Sequence, residues 1–390
     1  MRAERATGRV IVSGMLFWYP LAGVTFQFLH YLLGLRRLGY AVDYVEDSAR
    51  WVYDPRINDR GLDASGNVAA VAPVLEAHGF AGHWAYRGRY DGGATYGMSD
   101  AAIDRLYRDA DVLINVTGAQ ELLDEHLRIP RRVHVQSDPF AEQVRADAGD
   151  ETVLAALRGH DTHFSFGENI GQPGCAVPTA GFTWLPTRQP VVLDLWDNDV
   201  DRPGELYTTI TTWHNSGNDV VVGGETYHWT KDREFLRVID LPQRCQARFE
   251  LAVLADRHAE QLLSQHGWLQ RSSVEVSADP SRYRDYIRGS RAEFTVARDQ
   301  YVRPVTGWFS DRSACYLAAG RPVITQDTGF GRVLPTGAGL FAFSDIEGVC
   351  AAVDAVESDP VAHCRAAREI AQEYFAAERV LGSLMERAGL

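Results

Sequence analysis

Apolar residues in this chain fall into short unbroken runs that alternate with stretches at helical spacing. Val10, Ile11 and Val12 form the first run, which Ser13 and Gly14 end. Phe26, Leu29, Leu33 and Leu38 then recur at the spacing of one helix face, and Gly39 supplies the stop. Residues 41–45 resume as a strand, so the unit has the length a parallel crossover needs. The rhythm returns after Ser99-Asp100, a helix start, with strands DVLINV, RRVHVQ and THFSF. These close in Thr117-Gly118, Ser137-Asp138 and Gly167-Glu168-Asn169. Strands ending this way suit an open parallel sheet, whose ligands lie beyond the strands' carboxyl ends. Residues 81–99, aperiodic and rich in glycine, predict a long surface loop.

Residues 186–201, PTRQPVVLDLWDNDVD, mix prolines with aspartates and read as a solvated linker; no spacing in them fits a calcium loop. A second series follows: LYTTITTW, VVVGG, a helix over 232–239, FELAVLA, DRHAEQLLSQHG, EFTVA, a further helix and strand, LFAF, and two closing helices. A chain of 390 residues exceeds what one hydrophobic core usually serves. The pattern therefore predicts an α/β protein of two doubly wound domains, residues 1–187 and 188–370. Residues 371–390 are expected to be a helix that packs back on the first domain.

Composition narrows the partners. Lys+Arg 39 against Asp+Glu 52 gives −13, which argues against nucleic acid and anionic membranes. No run is long and apolar enough to span a bilayer, and the first apolar stretch, broken by Ser13, Gly14 and Pro20, reads as a strand rather than a signal peptide. Five scattered cysteines without CxxC spacing predict reduced thiols and a cytoplasmic protein.

Candidate chemistry concentrates in residues 307–330, GWFSDRSACYLAAGRPVITQDTGF. A helix beginning near Asp311 would turn its N–H groups and dipole toward a phosphate, with Ser310, Arg312 and Ser313 as donors, whereas a carboxylate at Asp311 would repel one. Gln326, Asp327, Thr328 and Gly329 end the next strand, where amide and carboxylate groups suit sugar hydroxyls; the same four residues also make an ordinary turn. No GxGxxG follows the first strand, which argues against a nicotinamide enzyme.

The helix, Ala-Ala-Gly-Arg-Pro-Val-Ile and loop together resemble the nucleotide-sugar half of GT-B glycosyltransferases. The resemblance implies two facing Rossmann-like domains, a nucleotide-diphosphate sugar as co-substrate in the carboxyl-terminal one, and neither metal nor other cofactor. His214 and Asn215 fall where such enzymes place a donor-phosphate loop, and Lys231, Arg233, Arg298 and Arg303 are further cations for a diphosphate. Many retaining members carry Glu-x7-Glu; here the two positions are Gly307 and Cys315, which favours an inverting transfer. Such a transfer needs a general base across the cleft, and Asp138 or Glu168 is the candidate. Phe17, Trp18 and Tyr19 would wall an acceptor, expected to be a small specialised metabolite. A nucleotide-sugar epimerase or hydrolase on the same frame, or a nucleotide-binding protein without catalysis, stays open beside this reading.

Overall fold

The computed structural model describes residues 8–89 and 94–390. Among these residues, eight strands form one sheet in the order Trp184–Pro186, Thr162–Ser165, Arg131–Gln136, Val112–Val116, Arg9–Ser13, Ala41–Glu46, Trp84–Arg87, Thr95–Gly97. All pairs are parallel except the last. Six parallel strands form a second sheet in the order Leu269–Ser272, Arg248–Leu254, Leu206–Thr212, Ala292–Thr295, Val323–Gln326, Leu340–Phe343. The first strand of each half lies inside its sheet, so the chain winds outward on one side and returns to the other. Val10, Ile11 and Val12 are all fully buried, as continuous apolar runs are when helices cover both faces of a sheet.

Residues 186–201 are not a solvated linker. They hold a 3-10 turn, Leu193–Trp196, whose Trp196 is fully buried against Phe26, with ring centroids 4.8 Å apart. Its indole N–H donates to His30 Nε2. Burying an indole outweighs the polar composition of the stretch. The aspartates lie outward and pair instead, Asp194 with Arg37, Asp197 with Arg368 and Asp201 with Arg365.

The expected surface loop is also structured. Trp84–Arg87 and Thr95–Gly97 pair antiparallel at the sheet edge, with Trp84 and Tyr86 buried beside Phe17. Residues 90–93 of that loop lie outside the described residues. VVVGG does not enter the second sheet; Val220–Val222 pairs with Glu225–Tyr227 as a hairpin, and Tyr227 packs on Phe140 of the other half at 4.6 Å. Cys245 and Cys350, 105 residues apart, are joined as a disulfide with Cα atoms 5.7 Å apart, contrary to the reduced thiols expected from spacing. Two surface segments distant in sequence meet there, which no local pattern announces.

The last helix, Ala377–Arg387, rests on Ala22–Arg37. Gly34 makes this possible, since a Cβ there would sit 2.6 Å from Leu381 Cδ1. No helix among the described residues is long and apolar enough to cross a membrane.

Candidate active site

In an open parallel sheet the strands on either side of the reversal in winding part at their carboxyl ends, leaving a crevice. In the first sheet that point lies between Arg9–Ser13 and Val112–Val116, hence at Gly14 and Thr117. In the second it lies between Leu206–Thr212 and Ala292–Thr295, hence near His214 and Arg298. The two halves are tied together beside these points. Asn169 Nδ2 donates to the carbonyls of Val305 and Gly329, each at 3.1 Å, and Trp308 Nε1 donates to Ser137 O at 2.9 Å.

Several nominated residues converge on the second crevice. Ser310 is the N-cap of Asp311–Ala318 and makes no side-chain capping bond. Burial raises the Asp311 carboxyl above its ordinary value, against the pull of Arg312. Lys231 precedes the short helix Asp232–Leu236 and is half-buried. Its ammonium meets no acceptor among the described residues. Burial first, then the charges of Arg312 and Arg298, hold its pKa well below that of an ordinary lysine. His214 Nδ1 lies 3.0 Å from Asp232, and Asn215 Nδ2 donates to Thr212 Oγ1, so this loop packs beside Lys231's own helix.

Other nominated groups are already occupied. Arg312 is half-buried and engages each nitrogen of its fork inside the protein: Nε on Glu293 at 2.5 Å, Nη1 on Ile210 O, Nη2 on Thr295 Oγ1. Arg303 is held by Asp299, Glu225 and the Thr226 carbonyl. Gln326 is buried, donating to Glu234 and accepting from Ala297 N, so it cannot also read a sugar. Ser313 is fully buried and its hydroxyl has no partner. Asp327 is exposed and closes a turn by accepting from Gly329 N, while Thr328 donates to Trp308 O.

On the facing side, Asp138 reaches across the cleft. Its Oδ1 accepts from Arg298 Nη1 at 2.7 Å and from the Tyr301 hydroxyl, and its Oδ2 accepts from Ser137 Oγ. A carboxylate so engaged is a clamp between the halves and a poor proton acceptor. Glu168 is not brought to the cleft. It pairs with Arg188 at 2.7 Å beside Glu373 and Arg387, and burial raises its pKa against that arginine. Phe17 lies in the core with no exposure, so it meets no ligand. Trp18 and Tyr19 remain partly exposed beside Trp51, with Arg60 over the Trp51 ring at 4.1 Å.

The structure explains why the double-glutamate motif is absent. Gly307 has φ +76°, and a Cβ there would lie 2.8 Å from Asn169 Cγ; the same asparagine makes the bonds between the halves. Cys315 is buried with its sulfur 3.8 Å from His30 Nε2. Neither place admits a glutamate side chain. Sequence reasoning missed Thr117, Glu142 and Trp229 as lining residues. Thr117 at least carried a signal, the polar end of a central strand, whereas Glu142 is one helical acid among many.

These halves, sheets and facing crevices define the GT-B glycosyltransferase fold. Among solved structures, an alpha-glucosyltransferase in complex with UDP and a 13-mer DNA containing a HMU base superposes with TM-score 0.58 and 10% identity, covering 99% of this chain and 100% of that one. AviGT4, a glycosyltransferase involved in Avilamycin A biosynthesis, gives TM-score 0.54 at 11% identity over 98% and 97% of the two chains. A glycosyltransferase from Rickettsia africae ESF-5 gives 0.54 at 10% identity over 98% of each. No protein-family model matches the chain, and no curated protein matches its sequence. The first neighbour corrects the expectation that nucleic acid is excluded as a partner. A protein of this fold holds DNA, and a net charge summed over a whole surface does not govern what one cleft takes.

Proposed function

We propose that this protein is a glycosyltransferase that binds a nucleotide-diphosphate sugar in its carboxyl-terminal half and moves the sugar to an acceptor hydroxyl held by the other half. Lys231 carries the reading. An amine held partly out of water beside Arg298 and Arg312, hydrogen-bonded to no acceptor among the described residues, feels only the weaker pull of Glu293 and Asp311, and a diphosphate supplies a closer anion. The helix start at Ser310 adds a positive dipole end to the same place. Together they meet the charge that develops on the leaving diphosphate, so the transfer needs no metal ion and no cofactor besides the donor. Without a carboxylate at Gly307 or Cys315, one displacement with inversion is the simplest chemistry, with its base on the acceptor side.

The test is calorimetric titration with UDP, TDP, GDP and ADP, on the wild type and on Lys231→Met. One diphosphate should bind selectively, and the variant should weaken it about tenfold, roughly 1.4 kcal/mol. If none binds at millimolar concentration, the reading fails. Free sugar or an epimer released without any acceptor would point instead to a hydrolase or epimerase.

A further inference from the structure

A cleft lies beside the first crevice, lined by Thr117, Gln136 and Glu142 from one half and Asn218, Asp219 and Trp229 from the other. Thr117 occupies the central reversal point of its sheet with φ +67°, a conformation a β-branched residue rarely adopts. Its hydroxyl is buried and has no partner. Trp229 carries Arg298 over its ring at 3.4 Å, which joins this cleft to the cations around Lys231.

Asp138, also in the cleft wall, is consumed by Arg298, Tyr301 and Ser137. Glu142 is not consumed in this way. Its Oε2 accepts from Gln136 Nε2 at 2.6 Å and lies 3.0 Å from His134 Nε2, while no described residue bonds its Oε1. A carboxylate backed on one oxygen and open on the other is arranged to take a proton. Although burial opposes it, His134 first, then Gln136, keep this carboxyl ionised below its usual value.

We propose that this cleft is the acceptor site, that it takes a neutral polyhydroxylated acceptor, a saccharide, and that Glu142 Oε1 receives the proton of the reacting hydroxyl. The inference rests on the glycosyl-transfer reading. The lining offers the Asn218 amide, the carboxylates of Glu142 and Asp219 and the Trp229 indole, a set that suits hydroxyl groups, while Glu142 and Asp219 repel anionic ones; the Gln136 amide is taken up by Glu142, Gln143 and Ser165. In the step, the acceptor oxygen bonds to the sugar's anomeric carbon and its proton passes to Glu142. The bond from that carbon to the diphosphate oxygen breaks, and its electron pair leaves with the diphosphate toward Lys231.

The experiment is saturation-transfer NMR of maltose on the full chain with UDP present, with UDP binding measured on the same samples. Maltose should bind the wild type and lose about tenfold or more in affinity in Glu142→Ala and in Asn218→Trp, which fills the cleft from an exposed position, while UDP binding is retained. UDP binding without maltose binding, or maltose binding that survives Asn218→Trp, overturns the acceptor assignment alone. Failure of UDP, TDP, GDP and ADP alike to bind the wild type brings down the transfer reading as well, and where another of them is selected it replaces UDP throughout. A short DNA duplex that binds and is displaced by Asn218→Trp overturns the saccharide class. For the proton step, Glu142→Gln should still bind maltose but release UDP from UDP-glucose about a hundredfold more slowly. Equal rates in variant and wild type, zero included, overturn that role.

Discussion

Two charged groups in this molecule, one buried and one half-buried, have strongly displaced ionisation, and their surroundings differ. Asp47, just past Ala41–Glu46, is fully buried, and burial alone would raise it. His126 and Arg87 instead hold its carboxyl well below the usual range, and the Tyr107 hydroxyl and Gln120 Nε2 donate to it as well. Lys231 is displaced by burial and by the like charges of Arg312 and Arg298, which outweigh the pull of Glu293 and Asp311. Displacement alone therefore does not mark a functional group. A displaced group whose partners are all bonded to it is part of the framework, and one without a bonded partner is the candidate for a ligand.

The comparison is sharpened first by breaking the framework. Asp47→Ala removes the buried carboxylate that Arg87, Arg89, Tyr107 and Gln120 bond, leaving the two arginines to Glu125, and a loss of about 3–5 kcal/mol is expected by urea denaturation, with diphosphate affinity unchanged in the folded fraction. Because the Asp47 value is depressed on folding, its contribution is present above the unfolded carboxylate pKa near 4 and is lost as pH falls below it. Arg312→Ala belongs with Asp47, since it strands the buried Glu293: a stability loss of about 3 kcal/mol or more is expected. Were Arg312→Ala to lower nucleotide affinity tenfold at unchanged stability, Arg312 would belong to the site after all.

Lys231→Met should do the reverse, keeping or slightly raising the melting temperature because an unpartnered charge is removed from a partly dry place. A smaller effect is expected at Glu46, which accepts from the N–H groups of Phe17 and Trp18 and from Tyr44, and which burial lifts to about 8. Its folded value exceeds its unfolded one, so the folded state keeps the proton and stability falls as pH rises from about 4.5 to about 8. Glu46→Gln should flatten that slope in thermal scans. The exposed pair Arg37–Asp194 is expected to matter least, with Arg37→Ala costing under about 1 kcal/mol.

From the sequence alone follow the two winding α/β halves, the helix that starts at Asp311 and the place of Lys231 just before a helix of the second half. Each is local: apolar periodicity marks the strands and helices, and the glycine or polar residues at their ends mark the turns. What the tertiary structure decided is which polar groups remain free. Arg312 and Lys231 are equally plausible phosphate cations in a string of letters. Only packing shows that Glu293, distant in sequence, bonds the arginine, while the lysine feels Glu293 and Asp311 only from a distance. Likewise Asp138 and Glu142 are neighbouring acids until the second half closes over them. Arg298 then takes one and leaves an oxygen of the other open. A hydrogen bond satisfies a group whatever the sequence distance between its partners, so the inventory of free groups belongs to the folded molecule.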